Sequence, residues 1–114
     1  MTGVQTCALP ISVEAARAAG PGLPLEVEVE TLEEVAGALD LGCDLLLLDN
    51  MELAAMTEAV RLAGAARART EASGGITLAT ARAVAETGVD YLAVGALTHS
   101  APILDIACDL REKA

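Results

Sequence analysis

A short β-type run that ends in a carboxylate or a glycine turn recurs four times along this chain at nearly constant spacing. The runs are Leu25–Val29, Leu45–Leu48, Ala68–Ala72 and Tyr91–Val94. Glu28, Asp49, Glu71 and Gly95 mark their C-terminal ends, at steps of 21, 22 and 24 residues. Between them lie stretches with apolar residues at helical spacing: Val13–Ala19, Leu32–Leu41, Glu52–Leu62, Leu78–Glu86 and Ile103–Arg111, with Leu32, Val35, Ala36 and Leu39 on one face of the second. Gly20-Pro21-Gly22, Gly42, Gly64 and Gly88 suit helix stops, and Thr31, Asn50 and Thr77 suit N-caps. The order α-β-α-β-α-β-α-β-α predicts parallel strands joined by right-handed helical crossovers. Leu45 to Leu48 is apolar on both faces, as expected of a strand covered on both sides.

Composition narrows the function. With 54% hydrophobic residues in 114, the chain has enough apolar surface for one packed domain, or part of a larger one. Its charge of −10 and its single aromatic, Tyr91, leave neither a basic surface for phosphate backbones nor stacking platforms for bases, which excludes nucleic-acid binding. The apolar run Leu45–Leu48 is far short of the roughly 20 residues that span a bilayer, so no membrane segment is expected. Cys7, Cys43 and Cys108 have no CxxC spacing and suit reduced thiols in a cytoplasmic protein.

Met1 to Ile11 reads differently from the rest. It has no Ala/Leu/Glu periodicity and no signal-peptide pattern, and Thr2 to Ile11 back-translates into codons that spell a sequencing-library adapter. The expectation is a non-native leader over 1–11 without packing contacts, with the natural start missing and residues 12–114 forming the domain.

The chemistry-bearing residues gather where the strands end. In Glu26-Val27-Glu28-Val29-Glu30 three carboxylates alternate with apolar residues and share one face, which is either a solvated edge or the mouth of a barrel. Asp49-Asn50 closes the leucine run, where capping would account for one residue but not both. Ser73-Gly74-Gly75 follows a strand and precedes a helix, so it is either a glycine-rich turn or a nest of free N–H groups aimed at an anion such as phosphate. Gly95-Ala96 follows the next strand, and paired loops after neighbouring late strands are the usual phosphate grip of β/α barrels. His99 is the only histidine, with a surface role or a phosphate contact both open.

On these residues the chain resembles quinolinate phosphoribosyltransferases. The resemblance is carried by Glu26–Glu30, Leu48–Met51, Glu71-Ala72-Ser73-Gly74-Gly75-Ile76 and Glu86–Tyr91 continuing to Val94–Ser100, and it runs from about Ser12 to about Leu110. It implies an α/β fold: the C-terminal part, about four βα units, of an incomplete seven-stranded parallel β/α barrel. It also implies transfer of phosphoribose from 5-phosphoribosyl-1-pyrophosphate to quinolinate with loss of carbon dioxide, giving nicotinate mononucleotide and pyrophosphate. Mg²⁺ is the implied cofactor, and the implied assembly is a homodimer or larger oligomer in the cytoplasm. By motif, Glu28 and Asp49 match the carboxylates that hold the ribose hydroxyls and, indirectly, the Mg²⁺–pyrophosphate. Ser73, Gly74 and Gly75 match one 5-phosphate loop, Val94, Gly95 and Ala96 match the other, and His99 lies beside them.

One departure stands out. Quinolinate carries two carboxylates, yet Arg17, Arg61, Arg67, Arg69, Arg82, Arg111 and Lys113 do not match the family's quinolinate-binding positions. The chain by itself is therefore expected to be inactive. Two other readings fit part of the pattern: a related barrel linked to molybdenum transport, and a leucine-rich solenoid, for which only Asn50 supplies the required repeat position.

Overall fold

Four parallel strands lie side by side in chain order in the computed structural model, which describes residues 2–102, 104 and 106–108, with 2–8 described through their backbone alone. The elements are α1 (Thr2–Ala19), β1 (Glu26–Val29), α2 (Leu32–Asp40), β2 (Leu45–Asp49), α3 (Leu53–Ala66), β3 (Arg69–Ser73), α4 (Leu78–Glu86), β4 (Tyr91–Leu92) and α5 (Ala96–His99). Val29 pairs with Leu48, Leu48 with Ala72 and Ala72 with Leu92.

Local chemistry sets the helix boundaries. α2 begins in a capping box: the Glu34 N–H donates to Thr31 Oγ1 at 3.2 Å, while the Glu34 carboxylate accepts the N–H groups of Thr31 and Glu30 at 3.2 and 2.7 Å. Thr77 and Thr80 make a similar reciprocal start for α4. α3 differs from expectation at both ends. Glu52, not Asn50, is its N-cap, because Asn50 adopts φ +52 in the turn before it; and Gly64 lies inside the helix, which stops at Arg67 with φ +60.

All four strands run in chain order with crossovers of one hand, so the helices between them fall on one face of the sheet. Val27, Val29, Leu46, Leu48, Thr70 and Ala72 point into that side and meet Val35, Ala38, Met56, Ala59, Ala63, Ile76 and Val84. Fully buried alanines at 38, 59 and 72 let helix and strand approach closely. The opposite face carries Glu26, Glu28, Leu45, Leu47, Arg69, Glu71 and Tyr91. Cover on both sides of the leucine strand is therefore not found: Leu46 and Leu48 are buried, Leu45 and Leu47 only partly. This is the wall of a parallel β/α barrel, with helices outside and the second face forming the lumen.

The first helix also departs from the sequence reading. It is continuous from Thr2 through Pro10 to Ala19, because Leu9 and Val13, one turn apart, present a common face to the core. Leu9 packs against that core, so the expected absence of contacts over 1–11 does not hold there, although Ile11 is exposed. Arg17 donates from Nη2 to the carbonyls of Leu41 and Gly42 at 2.8 and 2.7 Å and ties α1 to the end of α2. Much of the expected helix Ile103–Arg111 lies outside the described residues; Leu104 and Ile106–Cys108 are not helical, and α5 occupies Ala96–His99 instead.

Among the described residues no helix is long and apolar enough to cross a membrane. Cys43 and Cys108 are free thiols, and Cys7 lies where only the backbone is described. Burial, reinforced by neighbouring Asp44, pushes the Cys43 thiol above its ordinary range, which suits a packing residue rather than a nucleophile.

Candidate functional site

The carboxylates come first. Glu28 and Glu30 are two residues apart at the end of β1, so they point to the same open side, and Asp49 ends the neighbouring strand β2. One oxygen from each of Glu28, Glu30 and Asp49 lies within 4.8 Å of the other two. Such hard oxygen donors suit Mg²⁺.

The glycine loops come next. Ser73, Gly74, Gly75, Ile76 and Thr77 from the β3–α4 turn, with Ala93, Gly95 and Ala96 after β4, line one depression of about 460 Å³. Gly74 and Gly75 have φ of +95 and +63, a region open to glycine at little steric cost. Among the described residues, no protein acceptor takes the N–H groups of Gly74, Gly75 or Ile76, and they lie just before the start of α4. Free N–H groups at the positive end of a helix make an anion site.

A backbone contact joins the two groups. The Asn50 N–H donates to the Ser73 carbonyl at 2.9 Å, and Gly74 sits so close that an added Cβ would lie 2.8 Å from the Asn50 nitrogen. Gly74→Ala is therefore expected to destabilise the chain by about 1–3 kcal/mol, through positive φ and backbone collision together. Thermal unfolding would read this as a clear fall in Tm, and an unchanged Tm would contradict the packing of Gly74 on Asn50.

Asp49 and both loops stand at the C-terminal edge of the same parallel sheet, while Glu28 lies one row lower, level with Leu47, and Glu30 follows the end of β1. Ser73, Gly74, Gly75, Gly95 and Ala96 are brought together in one depression. The Val94 side chain packs partly against the core instead, its carbonyl accepting the Leu97 N–H, and His99 is exposed on α5 without lining the depression. Glu30 joins the carboxylates, and the period-2 alternation of β1 already placed it on their face. The spacing places Glu71 at the C-terminal edge, but it pairs with Leu47 and Tyr91 in the same row as Glu28, and β3 continues past it to Ser73. With Pro24, Asp44, Leu45, Arg69 and Tyr91 it lines a second depression, of about 400 Å³, on the lumen face below the loops.

Comparison with known proteins gives the chain a family. The family described as quinolinate phosphoribosyl transferase, C-terminal domain, matches residues 8–109. The nicotinate-nucleotide pyrophosphorylase (carboxylating) of Mycobacterium leprae is 50% identical over 101 residues, which cover 87% of this chain and 36% of that protein. Among solved structures, the nicotinate-nucleotide pyrophosphorylase from Francisella tularensis superposes with a TM-score of 0.77 at 32% identity, covering 86% of this chain and 35% of that one. Thiamine phosphate pyrophosphorylase from Pyrococcus furiosus gives 0.64 at 30% identity, covering 72% and 43%. The chain spans about a third of the length of the curated relatives it matches. Similarity to pyrophosphorylase barrels overturns the solenoid reading.

Proposed function

Because this chain belongs to the quinolinate phosphoribosyl transferase family through that family's C-terminal domain, we propose that it supplies the phosphoribosyl-binding side of a quinolinate phosphoribosyltransferase of NAD biosynthesis. The full reaction joins the quinolinate nitrogen to C1 of 5-phosphoribosyl-1-pyrophosphate, expels pyrophosphate, and releases one carboxylate as carbon dioxide with a proton taking its place. The observation that carries this reading is the shared sheet edge, where a loop depression with free N–H groups stands beside paired carboxylates.

Each group has a task in that chemistry. Ser73, Gly74 and Gly75, with Val94, Gly95 and Ala96, hold the 5-phosphate through backbone donors, and His99 lies alongside on the same segment. Glu28 and Asp49 hold the ribose hydroxyls. As the C1–O bond lengthens, positive charge develops on the sugar ring, and the two carboxylates stabilise it electrostatically. Glu28, Glu30 and Asp49 are the residues that would face Mg²⁺; when bound, the ion would neutralise the departing pyrophosphate.

The acceptor side calls for residues from the remainder of a full-length enzyme. Among the described residues Arg17, Arg61 and Arg82 lie on helices and Arg67 on a helix cap, while Arg69 faces the lumen at the far edge from the loops. None stands beside Glu28 and Asp49 to meet the two carboxylates of quinolinate. The working enzyme is a homodimer or larger oligomer in the cytoplasm; exposed Leu78 and Leu97, each next to a residue of the loop depression, supply apolar surface for packing, and free Cys43 and Cys108 suit a reducing compartment.

Calorimetric titration of the 114-residue chain tests the reading. Weak, Mg²⁺-dependent binding of 5-phosphoribosyl-1-pyrophosphate is expected. No heat of binding with Mg²⁺ present, or binding that is undiminished by a chelator, would overturn it.

A further inference from the structure

β4 is the shortest strand of the sheet, and the second phosphate loop hangs from it. Only Tyr91 and Leu92 pair with β3, against four residues in the β1–β2 pairing and five in the β2–β3 pairing. So short a ladder leaves register to side chains. Thr70, on β3, is the buried polar residue of the core, 1% exposed. Its N–H donates to Asp90 Oδ2 at 2.8 Å, and its hydroxyl reaches the same oxygen at 3.2 Å. In return the Asp90 N–H donates to the Thr70 carbonyl at 3.0 Å and approaches Thr70 Oγ1 at 3.3 Å. This closed set of bonds spans the two strands one residue before β4 begins.

The same device occurs once more. In both Gly42-Cys43-Asp44 and Gly88-Val89-Asp90, a glycine of positive φ ends a helix, an apolar residue packs inward, and an aspartate turns to the preceding strand. Asp44 Oδ2 accepts the Leu25 N–H at 2.7 Å, and the Asp44 N–H donates to the Leu25 carbonyl at 2.9 Å. At the third junction, Arg67-Ala68-Arg69, Arg69 takes the aspartate's place. It donates from Nη1 to Tyr91 Oη at 2.7 Å and so adds a second side-chain link between β3 and β4 on the lumen face.

We propose that Asp90 is a positioning residue for the phosphate site: through Thr70 it sets the register of β4 on β3, and thereby the distance between the Ser73–Gly75 and Gly95–Ala96 loops. This rests on reading those loops as the phosphate grip. A slip of one residue would carry Gly95 about 3.3 Å along the sheet and turn every β4 side chain to the other face. Asp44 secures β1 and β2, which carry no part of the loop depression, and so provides an internal control.

The test uses the ¹⁵N-labelled 114-residue chain, with inorganic phosphate as the probe. Amide shifts give phosphate affinity, and hydrogen exchange at the Ala93 N–H, which donates to the Ala72 carbonyl at 2.9 Å, gives the register. Asp90→Ala should weaken phosphate binding and Ala93 protection by about tenfold each. Asp90→Asn keeps an oxygen acceptor and should restore both. Asp44→Ala should lower Tm much as Asp90→Ala does, yet leave phosphate affinity within about twofold. Thr70→Val, nearly isosteric, retains the fold should Asp90→Ala lose it, and should still weaken binding severalfold. Unchanged affinity and exchange in Asp90→Ala, or in Thr70→Val where Asp90→Ala does not fold, would overturn the proposal, as would equal loss of affinity in Asp44→Ala. If the wild-type chain binds no phosphate, the reading of the loops fails instead. The register claim is then decided by Ala93 exchange alone, upheld by loss in Asp90→Ala with recovery in Asp90→Asn and overturned by wild-type exchange.

Discussion

No nicotinate mononucleotide is expected from the 114-residue chain incubated with 5-phosphoribosyl-1-pyrophosphate, quinolinate and Mg²⁺. The loops and carboxylates can hold the sugar phosphate, but among the described residues no cation stands at that sheet edge to hold the acceptor. Orientation of two reactants can contribute roughly 7–11 kcal/mol to lowering a barrier, and an unheld quinolinate forfeits most of that. Fusing the remainder of a family relative to this chain should restore turnover, because the cations and strands of the acceptor side arrive together. Product formation by chromatography reads both outcomes. Steady turnover by the chain alone would place the acceptor site within it and overturn the division proposed above.

In the restored enzyme, Glu28→Ala or Asp49→Ala is expected to lower kcat/KM by about 10²–10³-fold, the usual loss when one preorganised electrostatic group is removed from a transition state. Both carboxylates are on the open face at the strand ends, and neither supports the core. The rate should fall with little change in Tm. Cys108→Ala, on an exposed thiol, should leave kcat/KM within about twofold. Cys43→Ala, which trims a buried side chain, should lower Tm more than it lowers the rate. An Asp49→Ala enzyme at wild-type rate would show that the chemistry rests on other carboxylates.

Much of the wall was legible because local rules and packing agree along it. The strands at Leu25–Val29, Leu45–Leu48 and Ala68–Ala72 fall within a residue of β1, β2 and β3, since short alternating or continuously apolar runs bounded by turns are too short for a helix. The sequence pattern carries β4 through Val94, but it pairs only over Tyr91–Leu92, and among the described residues no further strand lies beyond it in the sheet. What escaped depended on neighbours distant in sequence. Asn50 has the composition of an N-cap, yet the close approach of Gly74 and the bond to Ser73 place it in a left-handed turn. The helix through Pro10 is supported by Leu9 and Val13 meeting the core, a tertiary contact that outweighs a local breaker. Glu71 has the right spacing for the site edge but lies one row below Asp49, level with Glu28, because β3 ends two residues later than the spacing suggests. The match of the family from residue 8 onward reaches into the segment read as a foreign leader.

The most direct measurement is an amide-shift map of the ¹⁵N-labelled chain titrated with 5-phosphoribosyl-1-pyrophosphate and Mg²⁺. The account predicts shifts at Ser73, Gly74, Gly75, Ile76, Gly95 and Ala96, together with Glu28, Glu30 and Asp49 at the adjacent strand ends. Shifts confined to Asp44, Leu45, Arg69, Glu71 and Tyr91, the second depression, would contradict it.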